Sequence, residues 1–167
     1  MSTTTNVAQA AQAELGAKFA GELIGPEDPS YEQARAVYNA MIDRRPALIA
    51  RCAGATDVAE TISFARRHDL LLAVRGGGHN GGGLGVCDDG VVLDLSLMQA
   101  IEVDPSARTV RVGGGCTWAQ VDAATHEHGL ATPSGIEILT IFAQPKKALF
   151  SILVTVFGIV TFVALSK

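Results

Sequence analysis

The chain has 167 residues, a net charge of −4 and 48% hydrophobic residues, enough for a domain with a buried core. The acidic balance, with no basic stripe or interleaved aromatic set, argues against a nucleic-acid partner. Three widely spaced cysteines predict neither a disulfide framework nor a metal site, and they fit a reducing, cytoplasmic compartment. Nothing in the sequence indicates the oligomeric state.

The first 45 residues predict a helical segment. An alanine-rich stretch over residues 7–20 favours a surface helix, and the breaker Gly25-Pro26-Glu27-Asp28-Pro29 follows it. Ser30 and Gln33 then have the spacing of a capping box, which predicts a second helix through about Ile42.

Residues 46–136 alternate short apolar runs with short helical patterns, which is typical of an α+β or α/β domain. Strands are predicted at residues 47–50, 70–74, 91–95, 101–103 and 109–112, the last two as a hairpin. Thr56 and Asp57 predict the cap of one helix. Thr117 with Gln120 predicts a capping box for another, which should end at Gly129.

A dense glycine cluster, residues 75–83 and here named the glycine loop, follows one of the predicted strands. Glycine gives up side-chain burial and loses much chain entropy on ordering, so such a cluster needs a reason other than packing. Close approach of main-chain N–H groups to an anion is such a reason, and Arg75 adds a cation suited to phosphate. The predicted binding residues are Arg75, Gly76, Gly77, Gly78, His79, Asn80, Gly81 and Gly82. The sequence therefore predicts a loop that holds a dinucleotide pyrophosphate, with His79 against the rest of the cofactor.

Other interpretations of the glycine loop fit less well. A flexible linker would carry serine and would not lie between two strands. Gly76, Gly78 and Gly81 match the spacing of the Rossmann fingerprint, but that fingerprint opens a helix and this loop leads into a turn and a strand. The missing helix also disfavours a dehydrogenase that uses a nicotinamide nucleotide.

The last part of the chain differs in kind from the rest. Residues 137–147 are predicted to be a linker, and residues 148–166 contain no charge. A helix of that length would span roughly 28 Å, close to a bilayer core of about 30 Å. The sequence thus predicts a transmembrane or membrane-inserted helix that anchors a cytoplasmic domain, with Lys146 and Lys147 on the cytoplasmic side. The alternative is a buried strand pair divided near Gly158.

Several short motifs occur in a fixed order from about Phe19 to Ile136. They are Pro46-x-x-Ile49-Ala50-Arg51-Cys52, Arg75-Gly76-Gly77-Gly78-His79-Asn80, Val91-x-Leu93-Asp94-Leu95-Ser96, Val112-x-Gly114-Gly115, Trp118 and Leu130-Ala131-Thr132-Pro133-Ser134-Gly135. In this order they resemble one family of flavoproteins, the vanillyl-alcohol oxidase / para-cresol methylhydroxylase (PCMH) family, and within it the berberine-bridge-like oxidases.

The resemblance implies an α+β PCMH-type FAD-binding domain, present as its N-terminal subdomain and part of the second. It implies that the glycine loop wraps the pyrophosphate of FAD and that His79 bonds covalently to the 8α-methyl group of the flavin. Such proteins oxidise alcohols, amines or sugars, with O₂ as the final acceptor. The second flavin link of some relatives, through a cysteine after the Thr-Pro-Ser-Gly segment, has no counterpart here.

The resemblance ends after Ile136, before the substrate-binding region and the catalytic base of the family. Tyr31 and Tyr38, the only tyrosines, fall on the predicted N-terminal helix and outside the pocket motifs. No catalytic residue is therefore predicted. The leading hypothesis is a truncated N-terminal portion of an FAD-binding oxidoreductase. The alternative is a membrane-attached, catalytically inactive remnant of such an enzyme.

Overall fold

The computed structural model describes residues 3–131 and 157–161, with four helices and seven strands among them. In chain order the elements are α1 (Thr3–Leu15), β1 (Glu22–Ile24), α2 (Tyr31–Arg35), β2 (Leu48–Arg51), α3 (Ala55–Arg67), β3 (Leu72–Arg75), β4 (Val91–Asp94), β5 (Ile101–Asp104), β6 (Thr109–Gly113), α4 (Trp118–His126) and β7 (Phe157–Thr161). They form two compact units, residues 1–97 and residues 98–167. The predicted α+β class is confirmed.

The first unit is built on a four-stranded sheet in the order β1-β2-β4-β3. β2 and β3 both run parallel to β4, and β1 is antiparallel to β2. All four residues of β4 are buried, as expected for the central strand of a parallel set. The three parallel strands therefore end at one edge of the sheet, where Arg51, Asp94 and Arg75 lie in register.

The core of this unit explains why its helices dock on the sheet. The apolar face of α3 includes Val58, Ile62 and Ala65, all of which are buried. Phe64 packs with Leu15 of α1 and with buried strand residues. Burial of apolar side chains on both faces is what a mostly parallel sheet requires.

The bounds of three helices differ from the sequence prediction. α1 covers Thr3–Leu15 rather than residues 7–20. α3 begins after Gly54, and neither Thr56 nor Asp57 is its N-cap. α2 ends at Arg35 rather than near Ile42, and Ser30 makes no side-chain cap because its hydroxyl group donates to Asp28 instead. The Asp57 carboxylate instead accepts from the distant N–H groups of Ala20 and Gly21, whereas the Asp28 acceptor of Ser30 is only two residues away.

The second unit contains a three-stranded antiparallel sheet in the order β5-β6-β7. The predicted β5–β6 hairpin is confirmed. The predicted capping box of α4 is also confirmed, since Thr117 and Gln120 each bond to the main-chain N–H group of the other. Val110, Val112 and Val121 form its core.

The predicted helix over residues 148–166 is corrected where the structure describes it. Residues 157–161 are extended and pair as β7 with β6, Gly158 opposite Val112. β-branched residues such as Ile159 and Val160 favour an extended backbone, which accounts for the difference. The linker at 137–147 and the other tail residues lie outside the described residues. Across residues 3–131 and 157–161, no helix is both long and apolar enough to cross a membrane.

Candidate functional site: the glycine loop at the edge of the parallel sheet

The glycine loop leaves the sheet at the carboxyl end of β3. This edge also receives the carboxyl ends of β2 and β4, because the three strands are parallel. In open α/β sheets, ligands bind in the crevice outside the carboxyl ends of the strands. Gly77, His79, Gly81 and Gly82 are exposed here, while Gly83 is buried beneath them.

Arg75 occupies a different position from the one expected of a phosphate ligand. Its side chain is 6% exposed, and Nη2 lies 2.6 Å from Oδ2 of the buried Asp94. Its guanidinium group also donates to the carbonyl oxygens of Ala34 at 2.6 Å and Ala36 at 3.3 Å. The structure thus places the Arg75 charge in an internal ion pair and at the end of α2. Contact of Arg75 with phosphate stays a prediction.

The Arg75–Asp94 pair affects the pKa of the Asp94 carboxyl group. Burial would raise the pKa of the Asp94 carboxyl group, but the Arg75 charge and hydrogen bond, together with donation from Ser96, outweigh it. The pKa of Asp94 therefore lies below its usual range, and the carboxylate is ionised at neutral pH. Arg51 adds a second cation, with Nε 3.7 Å from Oδ2 of Asp94. The carboxyl ends of the three parallel strands are in this way tied together beneath the loop.

Asn80 organises the second half of the loop. Its carbonyl oxygen accepts a hydrogen bond from the N–H group of Gly83, and its side-chain Oδ1 accepts one from Leu84. Gly83 has a φ of +73°, and a Cβ atom there would lie 2.9 Å from Ile42. The fold therefore requires a glycine at position 83, and the Asn80 side chain serves the turn.

Gly78 meets the same requirement, with a φ of +72°, and a Cβ atom at Gly77 would lie 3.1 Å from Cδ2 of His79. Gly81 and Gly82 have no such structural reason among the described residues. Gly77, Gly81 and Gly82 lie outside the positive-φ region. A Cβ atom at Gly81 would meet nothing within 4 Å, and one at Gly82 would be in ordinary contact with Asn80. The remaining physical reason for glycine at these positions is the close approach of a group that is not among the described residues, such as a ligand.

The main-chain N–H groups of the loop are also uncommitted. From Gly76 to Gly82, none donates a hydrogen bond to any atom within the described part of the chain. Each non-proline residue carries one obligatory donor, and successive unpaired donors on an exposed loop form a concave site for an anion. Seven such groups in sequence around His79 are the feature that the rest of the fold leaves unexplained.

His79 is exposed, and the one ring that contacts it in the described structure belongs to Tyr38, with the centroids 5.0 Å apart. The prediction that Tyr38 lies on a helix is wrong, because α2 ends before it. Tyr38 stands outside the pocket motifs in the sequence, but its ring contacts one of them at His79. Tyr31 differs, since its buried hydroxyl group donates to Pro46. The contact of Tyr38 with His79 is not predicted from the sequence, and no local pattern signals it.

Asp94 is the other residue whose role sequence reasoning missed, although a signal was present. A carboxylate at the end of an apolar run is costly to bury unless a cation accompanies it. Arg75 occupies the corresponding end of a neighbouring apolar run. Two opposite charges at the ends of two parallel strands indicate an internal pair.

The cysteines give no nucleophile or flavin link in this part of the chain. All three are buried. Burial raises the pKa of the Cys52 thiol to about 12 and also raises the pKa values of Cys87 and Cys116. These thiols are therefore protonated at neutral pH and unreactive.

An α+β fold whose glycine loop leaves the carboxyl edge of parallel strands is typical of nucleotide-binding domains. The family model described as "FAD binding domain" matches residues 46–145, which is more than half of the chain. The chain belongs to this FAD-binding family, and the family predicted from the motifs is confirmed.

Relatives of known name agree with this assignment. The chain is 37% identical over 116 residues to (R)-6-hydroxynicotine oxidase of Paenarthrobacter nicotinovorans, covering 70% of this chain and 25% of that protein. It is 37% identical over 98 residues to an FAD-linked oxidoreductase of Dictyostelium discoideum, covering 59% of this chain and 21% of the relative. The chain thus spans about a quarter of the length of the curated relatives that it matches.

Solved structures show the same fold. The crystal structure of 6-hydroxy-D-nicotine oxidase from Arthrobacter nicotinovorans matches with a TM-score of 0.68 and 36% identity, over 71% of this chain and 26% of that one. BBE-like 1 of Physcomitrella patens matches with a TM-score of 0.67 and 22% identity, over 80% of this chain and 28% of that one, and supports the fold alone.

Proposed function

We propose that this chain provides the pyrophosphate-binding part of an FAD-dependent oxidoreductase of the berberine-bridge-like type. The observation that carries the proposal is the run of uncommitted main-chain N–H groups from Gly76 to Gly82 at the carboxyl edge of the parallel strands. A diphosphate offers many acceptor oxygens, and it needs neither a helix dipole nor the Arg75 charge to bind such a loop. When bound, FAD supplies a two-electron acceptor.

The chain's residues divide this task between them. Glycines 76–78, 81 and 82 bring the main chain close to the phosphates, and Asn80 holds the turn that presents them. Arg75 and Asp94 fix the loop's origin to the sheet. The N-terminal subdomain and part of the second subdomain of a PCMH-type domain are the portion we assign to this chain. We name no catalytic base within the described residues.

FAD uptake by the full chain is the direct test. We expect purified protein to bind added FAD, measured by titration calorimetry and flavin fluorescence. Gly81→Val should weaken binding by at least about tenfold, or ~1.4 kcal/mol, because the side chain projects where the phosphates approach. Its thermal unfolding should not change, since a Cβ at Gly81 meets nothing within 4 Å.

Gly54 provides the matched control, because a Cβ atom there also meets nothing within 4 Å and Gly54 lies at the start of α3. Gly54→Val should bind FAD as the wild type does. Failure of the wild-type chain to bind FAD would refute the proposal. Equal affinities of the Gly81→Val and Gly54→Val proteins would show that the loop does not hold the phosphates.

We further propose that His79 attaches the flavin covalently. An imidazole nitrogen of His79 would form an N–C bond to the 8α-methyl carbon, while a C–H bond of that methyl group and the imidazole N–H bond break. O₂ would take up the two protons and two electrons as hydrogen peroxide. The exposure of His79 among the uncommitted N–H groups supports this role.

His79→Ala separates attachment from binding. Wild-type protein incubated with FAD and O₂ should keep yellow fluorescence on the chain after acid precipitation and electrophoresis. The His79→Ala protein should lose this acid-stable signal while it still binds FAD reversibly, because the loop N–H groups remain. Acid-stable flavin on His79→Ala would exclude His79 as the attachment point.

A further inference from the structure

The contact between Tyr38 and His79 joins two exposed rings. Their centroids are 5.0 Å apart and the ring planes are inclined by 35°, a tilted aromatic arrangement. Tyr38 is 77% exposed, so its ring contributes little to the core. In the described part of the chain its hydroxyl group has no hydrogen-bond partner, which leaves the ring face as the part that contacts the imidazole.

Two hydrogen bonds hold the Tyr38 segment against the glycine loop on both sides of His79. The N–H group of Tyr38 donates to the carbonyl oxygen of Gly78 at 3.1 Å. The side-chain amide of Asn39 donates to the carbonyl oxygen of Gly81 at 3.2 Å. The ring of Tyr38 is therefore presented from a backbone that is fixed at residues 78 and 81, and it limits the positions that the His79 side chain can adopt.

The origin of this segment explains its path. Arg75 binds the carbonyl oxygens of Ala34 and Ala36, and the chain turns from helical to extended at Ala36, with a ψ of 141°. The next residues then run along the loop instead of continuing α2. The same arginine that begins the glycine loop thereby also directs Tyr38 towards His79.

We propose that Tyr38 is a positioning residue that holds the His79 imidazole in the orientation needed to form its bond to the flavin. This inference rests on the proposed function, since it concerns the attachment step at that same site. An imidazole free to rotate would reach the reactive orientation less often, which slows bond formation without abolishing it. The aromatic ring carries the effect and the hydroxyl group does not.

The experiment uses the full chain with Tyr38→Ala, Tyr38→Phe and Met41→Ala. Met41 is the matched control, because it follows closely in the same segment and is 90% exposed. Incubation with FAD and O₂ should give acid-stable flavin about fivefold more slowly in Tyr38→Ala, as expected for loss of one aromatic pair. Tyr38→Phe and Met41→Ala should react at the wild-type rate, and all four proteins should bind FAD reversibly with equal affinity.

A flavin-free measurement accompanies the kinetics. The imidazole C–H resonances of His79, assigned by their loss in His79→Gln, should carry a ring-current shift in the wild type, Tyr38→Phe and Met41→Ala. That shift should disappear in Tyr38→Ala.

The two readouts separate this inference from the function on which it rests. Attachment at the wild-type rate in Tyr38→Ala, or equally slow attachment in Tyr38→Phe, would overturn the role of the ring while leaving FAD binding intact. A wild-type chain that keeps the ring-current shift but binds no FAD would refute the proposed function, and the flavin role of Tyr38 with it.

Discussion

Asp94→Ala is expected to lower the free energy of unfolding of the first unit by about 3–5 kcal/mol, the usual effect of removing one partner of a buried ion pair. The loss is large because Arg75, 6% exposed, would keep its charge without the carboxylate that neutralises it. The hydrogen bond that the main-chain N–H group of Ser96 donates to Asp94 would also be lost.

Amide hydrogen exchange of β4 is the appropriate measurement of this effect. Trp118, the only tryptophan, belongs to the second unit, so its fluorescence would report on other residues. Lys18→Ala is the control, because it breaks an exposed ion pair with Glu60 and should change stability by less than about 1 kcal/mol. An effect of Asp94→Ala no larger than that of Lys18→Ala would contradict the importance of the buried pair.

The pH dependence of stability gives a second view of the same pair. The pKa of Asp94 is depressed in the folded state, so its stabilising contribution is complete above the ordinary aspartate pKa of about 3.9. That contribution is lost as the pH falls through the lower, folded-state pKa. The acid loss of stability should therefore be smaller in Asp94→Ala than in the wild type. If the stability of the two proteins fell in the same way with decreasing pH, the pKa of Asp94 would not be depressed in the folded state.

Asp57→Ala is expected to destabilise the first unit by roughly 3 kcal/mol, because it removes the acceptor of three main-chain N–H groups at once. The buried carboxylate accepts from Ala20 and Gly21 at 3.0 Å each and from Ala53 at 2.8 Å. It thereby joins the start of α3 to the segment that precedes β1.

Thr56→Ala is the matched control for Asp57→Ala. Thr56 is the exposed neighbour of Asp57, and it makes no hydrogen bond through its side chain within the described residues. Thr56→Ala should change stability by no more than about 0.5 kcal/mol. Chemical unfolding of both variants, monitored by far-ultraviolet circular dichroism, would measure the two changes in stability. A larger loss of stability in Thr56→Ala would indicate that Thr56 caps α3, as predicted from the sequence, and would contradict the structure.

The sequence was sufficient where structure depends on neighbours in the chain. The capping box at Thr117 and the hairpin β5–β6 involve residues only a few positions apart, and both were predicted. The position of the glycine loop between two strands was predicted for the same reason, because apolar runs and glycines are visible locally.

Long-range contacts account for what the sequence did not reveal. Arg75 bonds to carbonyl groups 39 and 41 residues away, and Asp57 to N–H groups 36 and 37 residues away. The Arg75 bonds lie at the end of α2, after which the chain turns to place Tyr38 beside His79. A local pattern cannot show them, because tertiary contacts override local preference where a side chain has a better distant partner.

The burial of every cysteine makes selective labelling of this protein straightforward. Cys52, Cys87 and Cys116 are shielded from solvent, and the pKa values of their thiols are raised. A maleimide dye would consequently modify a cysteine introduced at the exposed Met41 in preference to the natural ones. The wild-type background can thus carry a single fluorescent reporter beside the glycine loop without prior removal of any native thiol.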